Sequence, residues 1–265
     1  GISRAFAAYG LEPGAIRKYM FGLSAVYWAL IFSAWVGYPK DHHYSIMTHT
    51  FSFLGSWADK HSPQWWWLFS VGMVTWGLGM LPVTLYLRKR LSAVSPWASW
   101  VFGFLYVVGG FGIALVGVFP DAPGEIVAGA GYTWTKVHAK VAVSAFAGFF
   151  LGNLWMGAML LLDGLWLRRM EDAGSARFQY TTLLWPYLFW LPILCTGIGF
   201  LVRWEYVYAA KKAAAAAAGA SIGSSWSEAM NTRYSFPLWE NILIYTLFLF
   251  LVWVVTALTA SDPDA

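Results

Sequence analysis

Charge is what this chain has least of. Of its 265 residues only 11% are Asp, Glu, Lys or Arg, whereas a soluble domain averages about 25%. A water-soluble fold of this length is thereby excluded, and so is a nucleic-acid surface, because the net charge of +4 is too thinly spread to follow a phosphate backbone. Cysteine is nearly absent too. Cys195 stands alone in an apolar run, so no disulfide can form within the chain. No HExxH, GxSxG or spaced Cys/His signature occurs. No n-region, h-region and cleavage site opens the chain, which starts at Gly1 without Met; the expectation is a start after processing or a tag.

What is present is apolar and aromatic: 59% hydrophobic residues, with 18 tryptophans among them. About 20 consecutive apolar residues cross a bilayer as a helix. Six such segments are predicted, Tyr19–Gly37, Trp66–Leu87, Trp97–Phe119, Val137–Leu162, Leu183–Val202 and Asn241–Leu258. The fold class expected is all-α, a polytopic six-helix transmembrane bundle. Trp65, Trp66, Trp67, Trp97, Trp100, Trp185, Trp204, Tyr206 and Trp239 fall near the segment ends, where amphipathic rings anchor at the interface.

Orientation is read from the cations. Arg4, Arg17 and Lys18 share one side with Arg88, Lys89, Arg90, Arg168, Arg169 and Arg177; Lys40, Lys60, Lys136, Lys140, Arg203, Lys211, Lys212 and Arg233 share the other. The totals are close, but "RKR" and "LRR" sit directly at helix ends, where positive charge orients best. Both termini are therefore expected in the cytoplasm. That includes the tail 259–265, and it leaves the histidine-rich first loop extracytoplasmic. Residues 1–18 are expected to lie at the interface. Residues 203–240 form a long extracytoplasmic loop in which "AAKKAAAAAAGA" has the propensity to prolong the fifth helix. No tandem repeat supports an inverted-repeat transporter.

The span centres, by these boundaries, hold no Asp, Glu, Lys, Arg or His. Ion-coupled transporters and proton pumps normally place such groups inside the bundle. Haem held by two histidines is disfavoured, since only His138 lies on a span, at its outer end. A retinal Schiff base lacks its lysine. Titratable groups gather at the outer ends instead: His42, His43, His49, Ser52, Ser56, Asp59 and His61 in loop one, Asp121 after the third span, His138 on the fourth, and Arg203, Glu205 and Glu240 around the fifth loop. His49, Asp121 and His138 have the chemistry of a zinc site that would activate water against a lipid headgroup or ester. The same groups suit a hydrogen-bonded lid that fixes loop one on the bundle. That lid is the favoured reading, ahead of plain solvated loop residues and of the zinc site. His49 and Ser52, three residues apart, share a face if that stretch is helical.

Inside the bundle, Gly148 and Gly152 form a GxxxG pattern for close helix approach, read as packing within the chain rather than dimerisation. Gly110 with Ala114, and Gly72, Gly77 and Gly79, mark similar contacts. Asn153, in mid-span, should hydrogen-bond a neighbouring helix, with Thr75 and Ser144 as candidate partners. Pro82, Pro186 and Pro192 are expected to kink or end helices.

The order "HTFSFLGSW", "PQWWWLFSVGM", "GIALVGVFPD" and then a histidine resembles the Frag1/DRAM/Sfk1 superfamily of six-helix membrane proteins and its prokaryotic DUF998-like relatives. The resemblance covers about residues 19–165 and extends to the last two spans by topology alone; the long fifth loop departs from the family's compact pattern. It implies a Ser52-x-x-Gly55 element before the second helix, a third helix ending at Phe119-Pro120-Asp121, and His138 opening the fourth. It also implies that Ser52, Gly55, Asp121 and His138 lie together on the outer face, which makes Ser52, Asp121 and His138 candidate catalytic groups. The family implies roles in membrane-lipid remodelling, lipid asymmetry or accessory functions, without an agreed reaction. The expected function is therefore that of a non-catalytic, lipid-associated membrane protein or an accessory subunit packed on other membrane subunits. It would hold a lipid, quinone or pigment among its rings. The alternatives are a metal-dependent lipid hydrolase or transferase, and a transporter of an uncharged lipid.

Overall fold

The computed structural model describes residues 12–40, 42–57, 62–127, 131–165, 180–219 and 232–260. Asp59, Lys60, His61, Arg4, Arg168, Arg169, Arg177, most of the N-terminal segment, the loop stretch 220–231 and the tail beyond Ala260 lie outside the described residues.

Among the described residues six α-helices carry the fold: α1 (Pro13–Val36), α2 (Trp66–Leu91), α3 (Pro96–Val118), α4 (Trp134–Leu165), α5 (Tyr180–Ala217) and α6 (Phe236–Ala260). All six are long and apolar enough to cross a membrane, so the chain is an all-α integral membrane protein. The helix starts follow local chemistry. Pro13 opens α1 at a position where its missing N–H costs nothing. Ser95 caps α3 by accepting from the Ala98 N–H at 3.3 Å. Because α1 begins at Pro13, the interfacial segment expected to reach residue 18 gives way to helix six residues earlier. The polyalanine run prolongs α5 to Ala217, and Gly219 follows with φ +66°, a left-handed turn that glycine adopts freely.

The three prolines do not end their helices. Pro82 lies inside α2, and Pro186 and Pro192 inside α5. In a bundle, neighbouring side chains can serve the carbonyls a proline leaves open. Pro82 leaves the Leu78 carbonyl without its N–H, and beside that gap the Tyr19 hydroxyl donates to the Gly79 carbonyl at 2.9 Å, tying α1 to α2.

Small residues set the helix spacing. A Cβ added at Gly77 would stand 2.4 Å from the Gly110 carbonyl oxygen and 2.5 Å from Ala114 N, so α2 and α3 touch backbone to backbone there. At Gly148 it would stand 2.3 Å from Gly109 N, and at Gly152 2.6 Å from the Tyr106 ring. The GxxxG pattern thus works within the chain, between α3 and α4. The packing runs α5–α6–α1–α2–α3–α4, and α4 and α5 meet only sparingly. Beneath loop one, the core is aromatic: Tyr27 stacks on Phe248 at 5.0 Å, and Phe248 lies 4.1 Å from Trp76.

Asn153 is fully buried. Its side-chain oxygen accepts from Tyr106 on α3, and its backbone carbonyl accepts from the Tyr187 hydroxyl at 2.9 Å. The interhelical bond is real but the expected partners were wrong. Ser144 spends its hydroxyl on the Lys140 carbonyl of its own helix, and α4 faces α3 rather than the α2 helix that carries Thr75.

Candidate functional site

Loop one is not a loose, solvated stretch. It folds back over the bundle and is locked to the start of α6. Asn241, fully buried, accepts from the Tyr44 hydroxyl at 2.9 Å and donates to the His49 carbonyl at 3.0 Å and the Pro237 carbonyl at 2.8 Å. Ser235 donates to the Met47 carbonyl. Burial pushes the Tyr44 phenol above its ordinary range, so it stays a neutral donor. His49 is buried as well. Its Nδ1 lies 2.8 Å from the Thr48 hydroxyl and 3.3 Å from the Ser45 N–H, and its Nε2 lies 2.8 Å from His42 Nε2. Because the Ser45 N–H can only donate, Nδ1 accepts, which puts the proton of a neutral His49 on Nε2, aimed at His42. Tyr38 packs its ring against His42, His49 and Tyr44. The sequence offered Tyr44, Asn241 and Ser235 no special status; only the packing of loop one on α6 reveals them.

After this latch, Phe51–Gly55 forms a 3-10 helix. His49 precedes it and Ser52 lies within it, so the two do not occupy one face of an α-helix. Gly55 is needed here because a Cβ would stand 2.3 Å from the Phe69 ring. Ser52 exchanges a hydrogen bond with Thr50 at 2.8 Å.

Ser52 reaches a central cavity of about 60 Å³, room for a few waters at roughly 10–15 Å³ each. His138 and Glu240 line it with Ser52 at the loop-one end; Tyr27, Trp76 and Phe248 are among the rings that close the rest. The His138 Nδ1–H donates to the Phe119 carbonyl at 2.8 Å, which leaves Nε2 of the neutral ring as an acceptor. Glu240 accepts from the Phe51 N–H and lies within electrostatic reach of Asp121, while its Oε2 is shut off from solvent without a hydrogen-bond partner. Glu240 was read as loop, one residue ahead of the sixth span. α6 starts at Phe236, so this carboxylate stands inside the helix, against the cavity. Asp163, likewise just past the expected end of the fourth span, is buried in the last turn of α4. Asp121 is held by the Thr135 hydroxyl at 2.7 Å.

The structure does not assemble the expected zinc ligands. Among the described residues, no three His, Cys, Asp or Glu side chains could hold a metal ion together. His49 spends both ring nitrogens within loop one and does not join His138, whose Nε2 stays open, or Asp121, one of whose oxygens accepts from Thr135. What does converge is Ser52, His138 and Glu240 on one cavity.

A second hollow lies between α4 and α5, where those helices scarcely touch. It measures about 540 Å³ and is lined by Leu154, Ala158, Leu161, Leu184, Tyr187 and Leu191, among others. That volume falls within the usual range for ligand pockets, about 300–1,000 Å³. None of its described lining residues is charged.

No family model matches this chain, and no curated protein or solved structure matches it either.

Proposed function

We propose that this integral membrane protein is lipid-associated rather than catalytic, working alone or as an accessory subunit among other membrane subunits. Its termini would be cytoplasmic and loop one extracytoplasmic. The hollow between α4 and α5 carries this reading. Among the described residues its walls are leucine, alanine and glycine, with the hydroxyls of Thr181 and Tyr187 as the polar side-chain groups, which suits an acyl chain better than an ion or a sugar. In a bilayer such a groove gains little from the hydrophobic effect, since lipid tails are as apolar as leucine. Retention of one lipid rests on packing against a fixed wall, many small dispersion contacts acting together.

Ala158 is exposed on that wall. Ala158→Trp would fill the groove without touching the core. The lipid retained per protein, counted by native mass spectrometry after gentle purification, should fall severalfold, with the unfolding temperature little changed. Retention at the wild-type level in Ala158→Trp, or no retained lipid in the wild type, would refute the proposal.

The convergence of Ser52, His138 and Glu240 favours one second reading, an outer-face hydrolase or transferase acting on lipid esters without a metal. Neutral His138 would serve as the base and Ser52 or water as the nucleophile. Ester cleavage by wild type that disappears in both Ser52→Ala and His138→Ala would support it; no cleavage of any lipid ester would sink it.

A further inference from the structure

A third hollow, of about 460 Å³, opens at the loop-one end where α2, α3 and α4 meet. Four tryptophans line it: Trp57 from loop one, Trp66 and Trp67 from α2, and Trp134 from α4. Interfacial anchoring explains tryptophans scattered round a bundle. It does not explain four of them, from three separate elements, turned onto one cleft. The Trp57 ring centroid lies 6.2 Å from that of Trp134, with the planes at 84°, and 6.4 Å from that of Trp66, at 42°. Phe119 backs Trp134 at 5.6 Å.

Local structure holds this corner open. Trp134 begins α4 behind a short return of the chain. Val127 N–H donates to the Tyr132 carbonyl and Trp134 N–H to the Glu125 carbonyl, with Ile126 bridging Thr133. Gly131 makes the return possible at φ +65°. The rings are thus placed by backbone before any ligand arrives.

The polar groups on and beside the cleft follow an order in depth. Asp121 comes next in the chain after Pro120, which lines the cleft, and it is tied to Thr135, the neighbour of Trp134. A carboxylate therefore flanks the aromatic corner, where it complements a cation. Lys136 stands exposed two residues beyond Trp134 and can offset a phosphate. Ser70, one helical turn deeper than Trp66, also lines the cleft, and its buried hydroxyl has no hydrogen-bond partner. Val71 and Val118, both well exposed, continue the wall towards the hydrocarbon.

We infer that this cleft binds the quaternary ammonium headgroup of a phospholipid, of the phosphocholine type. A cation gains most over tryptophan faces when it sits within about 6 Å of the ring centroids, and a corner of this size puts one cation in reach of two or three rings. A trimethylammonium group suits it better than a primary ammonium, because its methyl shell needs no hydrogen bonds and loses little on leaving water. Asp121 supplies the counter-charge. The Ser70 hydroxyl is placed to donate to an ester carbonyl one turn below, and the acyl chain follows Val71 and Val118. The site is separate from the α4–α5 groove and stands whether or not that groove holds a lipid.

The test is native mass spectrometry of the full-length protein in detergent, titrated with dioleoyl lipids that differ only in headgroup: phosphatidylcholine, phosphatidylethanolamine and phosphatidylglycerol. Phosphatidylcholine should bind about tenfold more tightly than phosphatidylglycerol, and severalfold more tightly than phosphatidylethanolamine. Trp57→Ala and Trp134→Ala should each erase that preference, and Asp121→Asn should weaken it. Trp97→Ala, which removes a tryptophan 71% exposed and outside the cleft, should leave it intact. Millimolar tetramethylammonium should compete with the bound lipid, while equal sodium should not. Thermal unfolding of each variant separates a lost site from a lost fold, and Trp57→Phe, which keeps a ring, should retain part of the preference. Equal binding of the three lipids overturns the inference, as does a preference for phosphatidylethanolamine or one that survives in both well-folded alanine variants.

Discussion

Gly148→Ala should destabilise the bundle even though alanine is the better helix former. In an exposed helix interior, replacing glycine with alanine gains about 1 kcal/mol. The methyl group at Gly148 would stand 2.3 Å from Gly109 N, 2.6 Å from Gly109 Cα and 2.7 Å from the Leu105 carbonyl oxygen. All three are backbone atoms of α3, with no side chain to swing aside. Ordinary contact requires roughly 1 Å more, so α3 and α4 must part locally. The separation also loosens the contacts at Gly109, where a Cβ would meet Phe149, and at Gly112, where one would meet Ala145. Overpacking of this kind costs about 1–3 kcal/mol, and backbone atoms that cannot swing aside put Gly148 at the upper end, which leaves a net loss of up to about 2 kcal/mol after the helix gain. Gly199, with nothing within 4 Å of its missing Cβ, is the control: Gly199→Ala should be neutral or stabilising. Unfolding in mixed detergent micelles, followed by the ellipticity of the helices, should place the two variants about 2 kcal/mol apart with opposite signs. Equal stability of the two would refute the claim that backbone contact between α3 and α4 sets the bundle's spacing.

Asn241→Leu should release loop one. It removes the side-chain partner of the Tyr44 hydroxyl, which keeps the Thr50 carbonyl at 3.5 Å, and strips the His49 carbonyl of its Asn241 donor, at about 1–3 kcal/mol for a buried group left unsatisfied; limited proteolysis between residues 38 and 57 should rise well above wild type, and unchanged cleavage would contradict the latch. Tyr44→Phe should cost less, and the double variant should fall short of the sum, because both changes remove one shared hydrogen bond. Tyr106→Phe should destabilise by about 1 kcal/mol, since it leaves the buried Asn153 oxygen without its donor. Adding Asn153→Leu to it should restore stability, whereas a further loss on thermal unfolding would show that Asn153 has another essential partner.

The fold was legible because lipid leaves the chain few options. A run of about 20 apolar residues must be helical in a bilayer, and composition alone marks such runs. The packing was partly legible for a related reason: where two helices come within backbone contact only glycine fits, so Gly77, Gly148 and Gly152 carry a signal in their identity. The site was much less legible. Glu240 stands one residue ahead of a hydrophobic run, and hydropathy cannot tell the first turn of a helix from the loop before it. Asn153 was visible as a polar group in lipid, but its partner depends on which helices are neighbours, and chain order does not fix the α5–α6–α1 contacts. His49 was read as a ligand because histidine binds metals. In the fold its two ring nitrogens serve Thr48, Ser45 and His42, and the residue that donates to the His49 carbonyl, Asn241, lies 192 positions away.

These placements bear on which end of the molecule can do chemistry or recognise a ligand. At the loop-one end, polar groups are assigned: the buried Tyr44 and His138 to Asn241 and Phe119, the half-buried Asp121 to Thr135. Burying them costs free energy unless each is satisfied, and the exceptions are the informative atoms. Ser56 Oγ, Glu240 Oε2 and Ser70 Oγ are buried without a partner, and of these residues Glu240 lines the central cavity and Ser70 the tryptophan cleft. Both sit where an apolar wall is interrupted by a hollow, so a bound molecule can complete what the chain leaves open. Among its described residues the α4–α5 groove has no such atom, so those residues would choose an occupant by shape. A lipid recognised by its headgroup would therefore be held at the cleft, while a lipid held in the groove would be exchanged readily among chains of similar length. Replacing Ser70 with alanine separates the two cases: it should weaken headgroup-selected binding and leave groove retention unchanged.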